Sequence, residues 1–286
     1  MRQSTILDYS APRGLAGRLR TLFSYRELTW MLAWREVRVR YKHSLLGALW
    51  AVIPPVMMML VFTFAFGTVS QLDPQRLTGH ATLPYSLFAL GGLVPWMFFS
   101  NSLTAATTSL VSNRQLITKI YFPREVFPIS AVLSSFLDFL VSIGVLMILA
   151  LYLQFRGGWR MSCGWPMLGL PVVIVVQIAL TIGLSLLLSM ANLFYRDVGF
   201  LFRAVIQLWM FATCVVYQLE SLSPWKRAVI ELNPMTPIIQ AYRDCLLLGR
   251  NPFTPQFWLA AAISILTLLA AWTWFARKEF EFAERA

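Results

Sequence analysis

An all-α integral membrane protein with six transmembrane helices is the fold this sequence predicts, and three observations predict it. Of 286 residues, 58% are hydrophobic and 13% charged, about half the charged share of a soluble domain. The apolar residues fall in runs of about 20, the length that crosses a hydrocarbon core about 30 Å thick. Lys and Arg gather beside alternate runs, the pattern of a cytoplasmic face. The net charge of +11 is read as topogenic, so nucleic acid is not an expected partner.

Residues 1–24 form a polar, basic N-terminal tail, expected in the cytoplasm, without the early apolar core of a cleavable signal. Residues 25–43 follow as an amphipathic interfacial helix. In YRELTWMLAWREVRVRYK (25–42), Trp30, Trp34, Val37 and Tyr41 share one face at helical spacing, and Arg35, Arg38 and Lys42 form a neighbouring basic face. Such a helix lies at headgroup depth, with its cations toward anionic lipid or water.

The transmembrane domain, 44–286, holds spans at about 49–69, 84–106, 127–154, 167–192, 201–219 and 256–276. Pro54-Pro55 is expected to kink the first span near its start, and Pro95 to interrupt the second, because proline removes a backbone donor. The third span is long and is expected to tilt. The fifth, QLWMFATCVVYQL, is short and follows Arg203. Between spans five and six, residues 220–255 carry five prolines and the apolar stretch IIQAYRDCLLL, which ends at Gly249. Too short to cross, that stretch is expected to dip in and return as a re-entrant outer hairpin, provided protein or water satisfies its backbone. With the N-terminus inside, inner segments hold 17 Lys and Arg and outer segments seven, which places both termini in the cytoplasm.

Several chemistries are missing. The sequence has no G-x-x-x-x-G-K-[ST] phosphate loop. His43 and His80 fall on opposite sides of the membrane and cannot pair. Cys163, Cys214 and Cys245 show no metal spacing. Cys163 and Cys245 both fall in outer loops and can pair there, though an odd count without a framework favours free thiols. No acids cluster in a large outer loop, as a membrane-embedded glycan polymerase or ligase would require. Asp138 is the only acid inside a span. Two readings stay open for it: a structural hydrogen bond involving Ser134, Ser135 or Ser142, and a proton-relay or substrate role.

A chain without an energy source must be driven through its cytoplasmic connections. The stretch SNRQLITKIYFPREVFP (112–128) fits that need. Asn113, Arg114, Gln115, Thr118 and Lys119 offer polar contacts, Leu116, Ile117 and Ile120 an apolar docking surface, and Pro123 and Pro128 a stiff end. The residues alone fit a topogenic loop equally well.

The run WREVRVRYKHSLLGALWAVIPPVMMMLVFTFAFG (34–67) resembles the opening of permease subunits of type 2 ABC transporters for polysaccharide export, the class that serves O-antigen, capsule and teichoic acid. The similarity continues through PYSLFALGGLVPWMFFSNSL (84–103), SLVSNRQLITKIYFPREVFP (109–128), ANLFYRDV (191–198) and ELNPMTPIIQAYRDCLL (231–247). It covers nearly the whole chain in order and leaves out the first 20 or so residues.

This resemblance implies a subunit of the bacterial inner membrane with no catalytic site, no metal and no bound cofactor of its own. ATP and Mg would sit on two copies of a separate ABC ATPase. A second copy of this chain would complete a path for an undecaprenyl-linked glycan, and a symmetric dimer suits that geometry. By the same resemblance 109–124 is the coupling segment that seats in the ATPase, and 220–250 is a re-entrant hairpin at the exit. Arg35, Arg38, Arg40 and Lys42 would steer a pyrophosphate-linked headgroup; ordinary anchoring to membrane lipid explains the same residues. Sugar rings stack on aromatic faces, so Phe62, Phe66, Trp96, Phe98, Phe99, Trp209 and Tyr217 are candidates for the glycan path, with lipid-facing placement as the alternative. Arg196 and Asp197, adjacent in sequence, do not face each other and each would bond elsewhere. A drug or another lipid is the alternative cargo for this architecture, and a purely structural assembly protein is the alternative from another class.

Overall fold

Of the helical stretches apolar enough to cross a membrane, the least apolar, Tyr85–Ser112, is the most buried and sits at the centre of this protein. The computed structural model describes residues 15–42, 44, 47–69, 83–119, 123–157, 159, 164–219 and 223–285. Expectations about residues 1–14, His43, His80, Ile120 and Cys163 lie outside the described residues.

The described helices are α1 (Leu15–Ser24), α2 (Arg26–Tyr41), α3 (Ile53–Phe62), α4 (Tyr85–Ser112), α5 (Arg114–Lys119), α6 (Val126–Phe155), α7 (Leu170–Phe194), α8 (Asp197–Phe211), α9 (Pro224–Glu231), α10 (Met235–Arg243) and α11 (Pro255–Arg285). Tight turns at Gly47–Ala51 and Trp165–Gly169 lead into α3 and α7. Widened turns at Thr63–Val69 and Asp244–Leu248 prolong α3 and α10. Among the described residues there is no strand.

Five described helical stretches are long and apolar enough to cross a membrane: Leu49–Phe66, Tyr85–Ser112, Val126–Phe155, Trp165–Phe194 and Pro255–Lys278. They correspond to the expected spans one to four and six. The expected fifth span, 201–219, falls on α8, a helix of 15 residues. At 1.5 Å per residue it reaches only about 22 Å, short of the roughly 30 Å core. The chain unwinds beyond Phe211 because its carbonyls find side-chain donors there, as described below.

Helix α4 packs against α3, α6, α7, α8 and α10, while α11 packs on α7 and α2 on α6. Its small and hydroxyl-bearing residues, such as Gly91, Gly92, Ser102, Ala106 and Thr107, are buried. Small residues let helix backbones approach closely where no water-driven collapse is available. The hydroxyls bond back to their own helix, as Thr107 Oγ1 does to the Leu103 carbonyl at 2.6 Å. The more apolar helices have room to face lipid on their outer sides: Leu140, Val141, Ile148 and Leu151 of α6 are exposed.

Two proline expectations change. Pro54 and Pro55 occupy the first turn of α3, where their missing N–H groups have no intrahelical partner to lose; the break falls before the helix and not within it. Pro95 lies inside an unbroken α4, and its carbonyl accepts a 2.7 Å bond from Gln177 Nε2 of α7. Gly249 behaves as expected. It ends the widened turn after α10 with φ +60° and donates to the Asp244 carbonyl, a left-handed conformation that costs a side-chain-bearing residue about 1–2 kcal/mol.

Candidate functional site

A cleft of about 750 Å³ opens between the end of α2, the turn before α3, and helices α4, α6 and α8. Its α4 wall carries Asn101, Thr104 and Thr108, spaced three and four apart so that they share one face. Opposite stand Ser135, Asp138 and Ser142 of α6, with Arg40 and Tyr41 at one end and Arg203 of α8 at another. A cavity of this polarity lets a charged side chain sit at membrane depth.

Asp138 is held from α2. Arg40 Nη1 makes an ion pair with Asp138 Oδ2, and the Tyr41 hydroxyl donates to Asp138 Oδ1 at 2.8 Å. The serines named in the sequence reading do not hold the carboxylate. Ser142 Oγ reaches the main-chain carbonyls of Asp138 at 3.0 Å and Ala51 at 3.1 Å, and Ser134 Oγ reaches Glu36 Oε2 at 3.1 Å. A helical serine sits next to the carbonyl one turn back, which competes for its proton. Burial and the Asp138 bond push the Tyr41 phenol up to about 12, so at neutral pH it stays a donor. Burial raises the Glu36 carboxyl above its ordinary range, against the Ser134 bond and the pull of Arg40 and Arg35.

The face of α2 that meets the bundle is Thr29, Leu32 and Ala33, with Glu36 and Arg40 continuing the same stripe. Leu32 enters an apolar cluster with Leu110, Val126, Phe127, Met190 and Phe275. The aromatic positions picked out by periodicity point elsewhere. Trp30 and Trp34 are half exposed and stack on each other, centroids 6.3 Å apart, and Tyr41 turns to Asp138. Of the basic set, Arg38 and Lys42 are exposed. Arg35 donates to Asn113 Oδ1 at 2.9 Å, and Arg40 is committed to Asp138.

That Arg35 bond ties α2 to the corner between α4 and α5. Asn113 caps α4 through Nδ2 to the Ser109 carbonyl at 2.9 Å, and its own carbonyl accepts from Leu116 N–H at 3.0 Å. Arg114 and Gln115 are exposed on α5. Leu116 and Ile117, expected to dock on a partner, are half buried against this chain's own cluster of Leu32, Leu110 and Phe127. Six residues give α5 fewer than two turns, so seating its apolar side on the bundle leaves the polar side outward. Thr118 and Lys119 close α5, and their side chains lie outside the described residues.

The aromatic candidates divide by where they sit. Phe98 lines the cleft and stacks on Phe139 at 4.9 Å. Phe62 and Phe66 stack at 6.1 Å and are partly exposed. Trp209 meets Phe99 edge-on at 5.4 Å and is half buried. The half-buried Tyr217 donates to the Phe211 carbonyl at 2.8 Å. Trp96 and Phe99, also expected on the path, are 3% and 0% exposed and, unlike the equally buried Phe98, do not line the cleft. Arg196 and Asp197 are both exposed, and Asp197 opens α8, where a carboxylate favours the helix dipole.

The sequence reading missed Arg243. Placed among outer-loop cations by charge counting, it is instead 1% exposed. It donates from Nη1 to the Cys214 carbonyl at 2.9 Å, from Nη2 to the Val215 carbonyl, and from Nε to the Phe88 carbonyl at 3.3 Å. Its guanidinium lies 3.7 Å from the Phe88 ring centroid. A Cβ on Gly92 would overlap both Val215 O and Arg243 Nη2, so α4 needs glycine there. Tyr85 Oη adds a 2.8 Å bond to the Val216 carbonyl, and Asn233 Nδ2 one of 2.7 Å to Thr213 Oγ1. Together these side chains receive the backbone that unwinds after α8. A single arginine inside IIQAYRDCLLL was the available signal. Cys245, in the same stretch, is a buried free thiol.

With this geometry in hand, the comparisons are specific. The family described as ABC-2 type transporter matches residues 27–247. The O-antigen export system permease protein RfbA of Myxococcus xanthus is 31% identical over 268 residues, which cover 93% of this chain and 98% of that relative. An RfbA permease of the same description from Klebsiella pneumoniae is 30% identical over 250 residues, covering 87% of this chain and 91% of that protein. The polysialic acid transport protein KpsM of Escherichia coli is 22% identical over 219 residues, covering 75% and 79%.

Proposed function

The chain belongs to the ABC-2 type transporter family, and from that premise we propose that it is the transmembrane permease subunit of an exporter that moves a polysaccharide across the bacterial inner membrane. The observation that carries the reading is the match to an O-antigen export permease along 93% of the chain, reinforced by the more distant polysialic acid transporter. Among the described residues, no structural feature favours a drug, another lipid or a polymerase over a glycan.

The finer parts of the reading rest on the family likeness and are compatible with the geometry. ATP and Mg belong to an ABC ATPase, two copies of which grip two copies of this chain. The exposed Arg114 and Gln115 of α5 are the contact, and Leu116 and Ile117 anchor that contact to the bundle. A push there reaches α4 through the Asn113 cap and α2 through Arg35. The α5 end is cytoplasmic, as are both termini. Helix α8 together with 212–219 supplies the sixth crossing, α10 and its widened turn form the re-entrant hairpin, and α2 rides at the interface. Arg38 and Lys42 meet lipid phosphate first, and the cleft beside Asp138 receives the undecaprenyl-linked head of the glycan. Phe62, Phe66, Phe98, Trp209 and Tyr217 remain as candidates for the path.

Deleting this chain from its host tests the proposal. The expected result is lipid-linked glycan accumulating on the cytoplasmic side, and co-purification of an ABC ATPase with the tagged chain. Normal surface glycan in the deletion strain, with no accumulation, removes the reading.

A further inference from the structure

Arg243 builds more than an anchor at its end of the bundle. Beside it, a second cavity of about 260 Å³ is enclosed by the segment after α8, by α9 and α10, and by the loop before α11. Phe88 and Cys214, which hold Arg243, border this cavity. It is remote from the α5 corner: along α4, Phe88 and Asn113 are about 37 Å apart. It also shares no residue with the cleft beside Asp138.

The lining has an unusual chemistry for a membrane protein. Four primary amides, Gln218, Gln240, Asn251 and Gln256, face one small volume. Each amide offers both an acceptor oxygen and donor N–H groups. Two acids, Glu231 and Asp244, stand against two bases, Arg227 and Arg250, so the lining carries no formal charge. Arg227 and Glu231 already meet at 2.8 Å across one turn of α9. Gln240 Nε2 reaches Asp244 Oδ1 only at 3.4 Å, a long bond that a ligand hydroxyl can replace. Thr236 Oγ1 is buried with no hydrogen-bond partner, which a native interior normally avoids.

A charged ligand of either sign would meet two like charges here, Glu231 and Asp244 or Arg227 and Arg250, and a lipid tail would strand the amides without partners. A ligand that presents many hydroxyls, each donor and acceptor, and no charge satisfies both conditions. The volume lies below the roughly 300–1,000 Å³ of drug-sized sites, which suits one or two sugar rings and not a long chain. We propose that this cavity is a binding site for one or two neutral sugar rings of the exported glycan, at the end of the bundle opposite α5. The proposal rests on the export reading, under which that end faces outward and the site holds the chain as it leaves.

The test uses the full chain in lipid nanodiscs and saturation-transfer difference NMR, with mannobiose and chitobiose as neutral probes and glucose 6-phosphate as a charged one. The expected result is saturation transfer to at least one disaccharide, binding about fivefold weaker in Gln240→Leu and in Asn251→Leu, as loss of one hydrogen bond implies, and no comparable signal from the phosphate. Two variants on separate elements guard against a folding defect, and thermal unfolding checks each. No transfer from either disaccharide, equal transfer in both variants, or a stronger signal from glucose 6-phosphate overturns the site. Any of these in a chain whose deletion still strands glycan inside the cell leaves the export reading standing.

Discussion

The guanidinium of Arg243 sits over the ring of Phe88, 3.7 Å from its centroid, while its nitrogens hold the carbonyls of Cys214 and Val215. One side chain thereby fixes the start of α4, the unwound segment after α8 and the end of α10. Charge-assisted bonds contribute about 1.5–3 kcal/mol each and leave costly orphans when removed. Arg243→Met, similar in length but without donors, is expected to cost about 3 kcal/mol or more, read by thermal unfolding in detergent. Arg243→Lys is expected to rescue little, because an ammonium cannot reproduce the planar fork. Unfolding unchanged in the Met variant would contradict the anchoring role.

Arg40 and Asp138 form the only described contact of the Asp138 carboxylate besides Tyr41. Their side chains are 38% and 18% exposed, so the pair is discounted toward the surface range, about 1 kcal/mol. In a double-mutant cycle, Arg40→Met and Asp138→Asn are expected to show a coupling energy near that size. Hydrogen exchange over residues 26–41 is expected to rise alike in both single variants. Additive effects would mean that the two residues act apart.

Glu36 makes the α2–α6 contact pH-dependent. Its folded pKa is raised above the ordinary 4.5 by burial. A folded acid that holds its proton more tightly contributes stability that is fully present below the unfolded value and is lost as pH rises through the folded one. Glu36→Gln is therefore expected to match the parent near about pH 4 and to exceed its unfolding temperature near about pH 7. A gap of the same size at both pH values would be evidence against the desolvated carboxyl.

At the α5 corner the two kinds of residue are expected to fail differently. Arg114→Glu reverses an exposed charge and should leave the isolated chain's unfolding within about 0.5 kcal/mol, while glycan export falls and ATP hydrolysis by the assembled transporter persists. Leu116→Asp places a carboxylate against Leu32, Leu110 and Phe127 and should lower stability itself by roughly 2 kcal/mol or more. Export unchanged in Arg114→Glu, with the partner still bound, would displace the contact from α5.

Much of the architecture was written in linear patterns. Membrane spans declare themselves by length and apolarity, which is why five of the six expected spans coincide with helical stretches long and apolar enough to cross. Gly249 as a helix stop and Asn113–Lys119 as a separate polar corner were equally legible, since both depend on local conformation. Periodicity put Trp30 and Trp34 on one face of α2, at headgroup depth, and left unnamed the face that meets the bundle, Thr29, Leu32 and Ala33. Half-buried tryptophans and fully buried small residues look alike until a neighbour is present.

The sequence by itself determined an all-helical membrane subunit and its family. Those rest on the energy of placing apolar runs in lipid and on residue order, both properties of a chain read one segment at a time. Only the tertiary structure decided which charges are spent inside the protein. Arg40 reaches Asp138 from 98 residues away, and Arg243 reaches Phe88 from 155. An arginine that counts as a loop cation in one dimension becomes an anchor in three, because desolvating it is tolerable only where distant carbonyls converge on it.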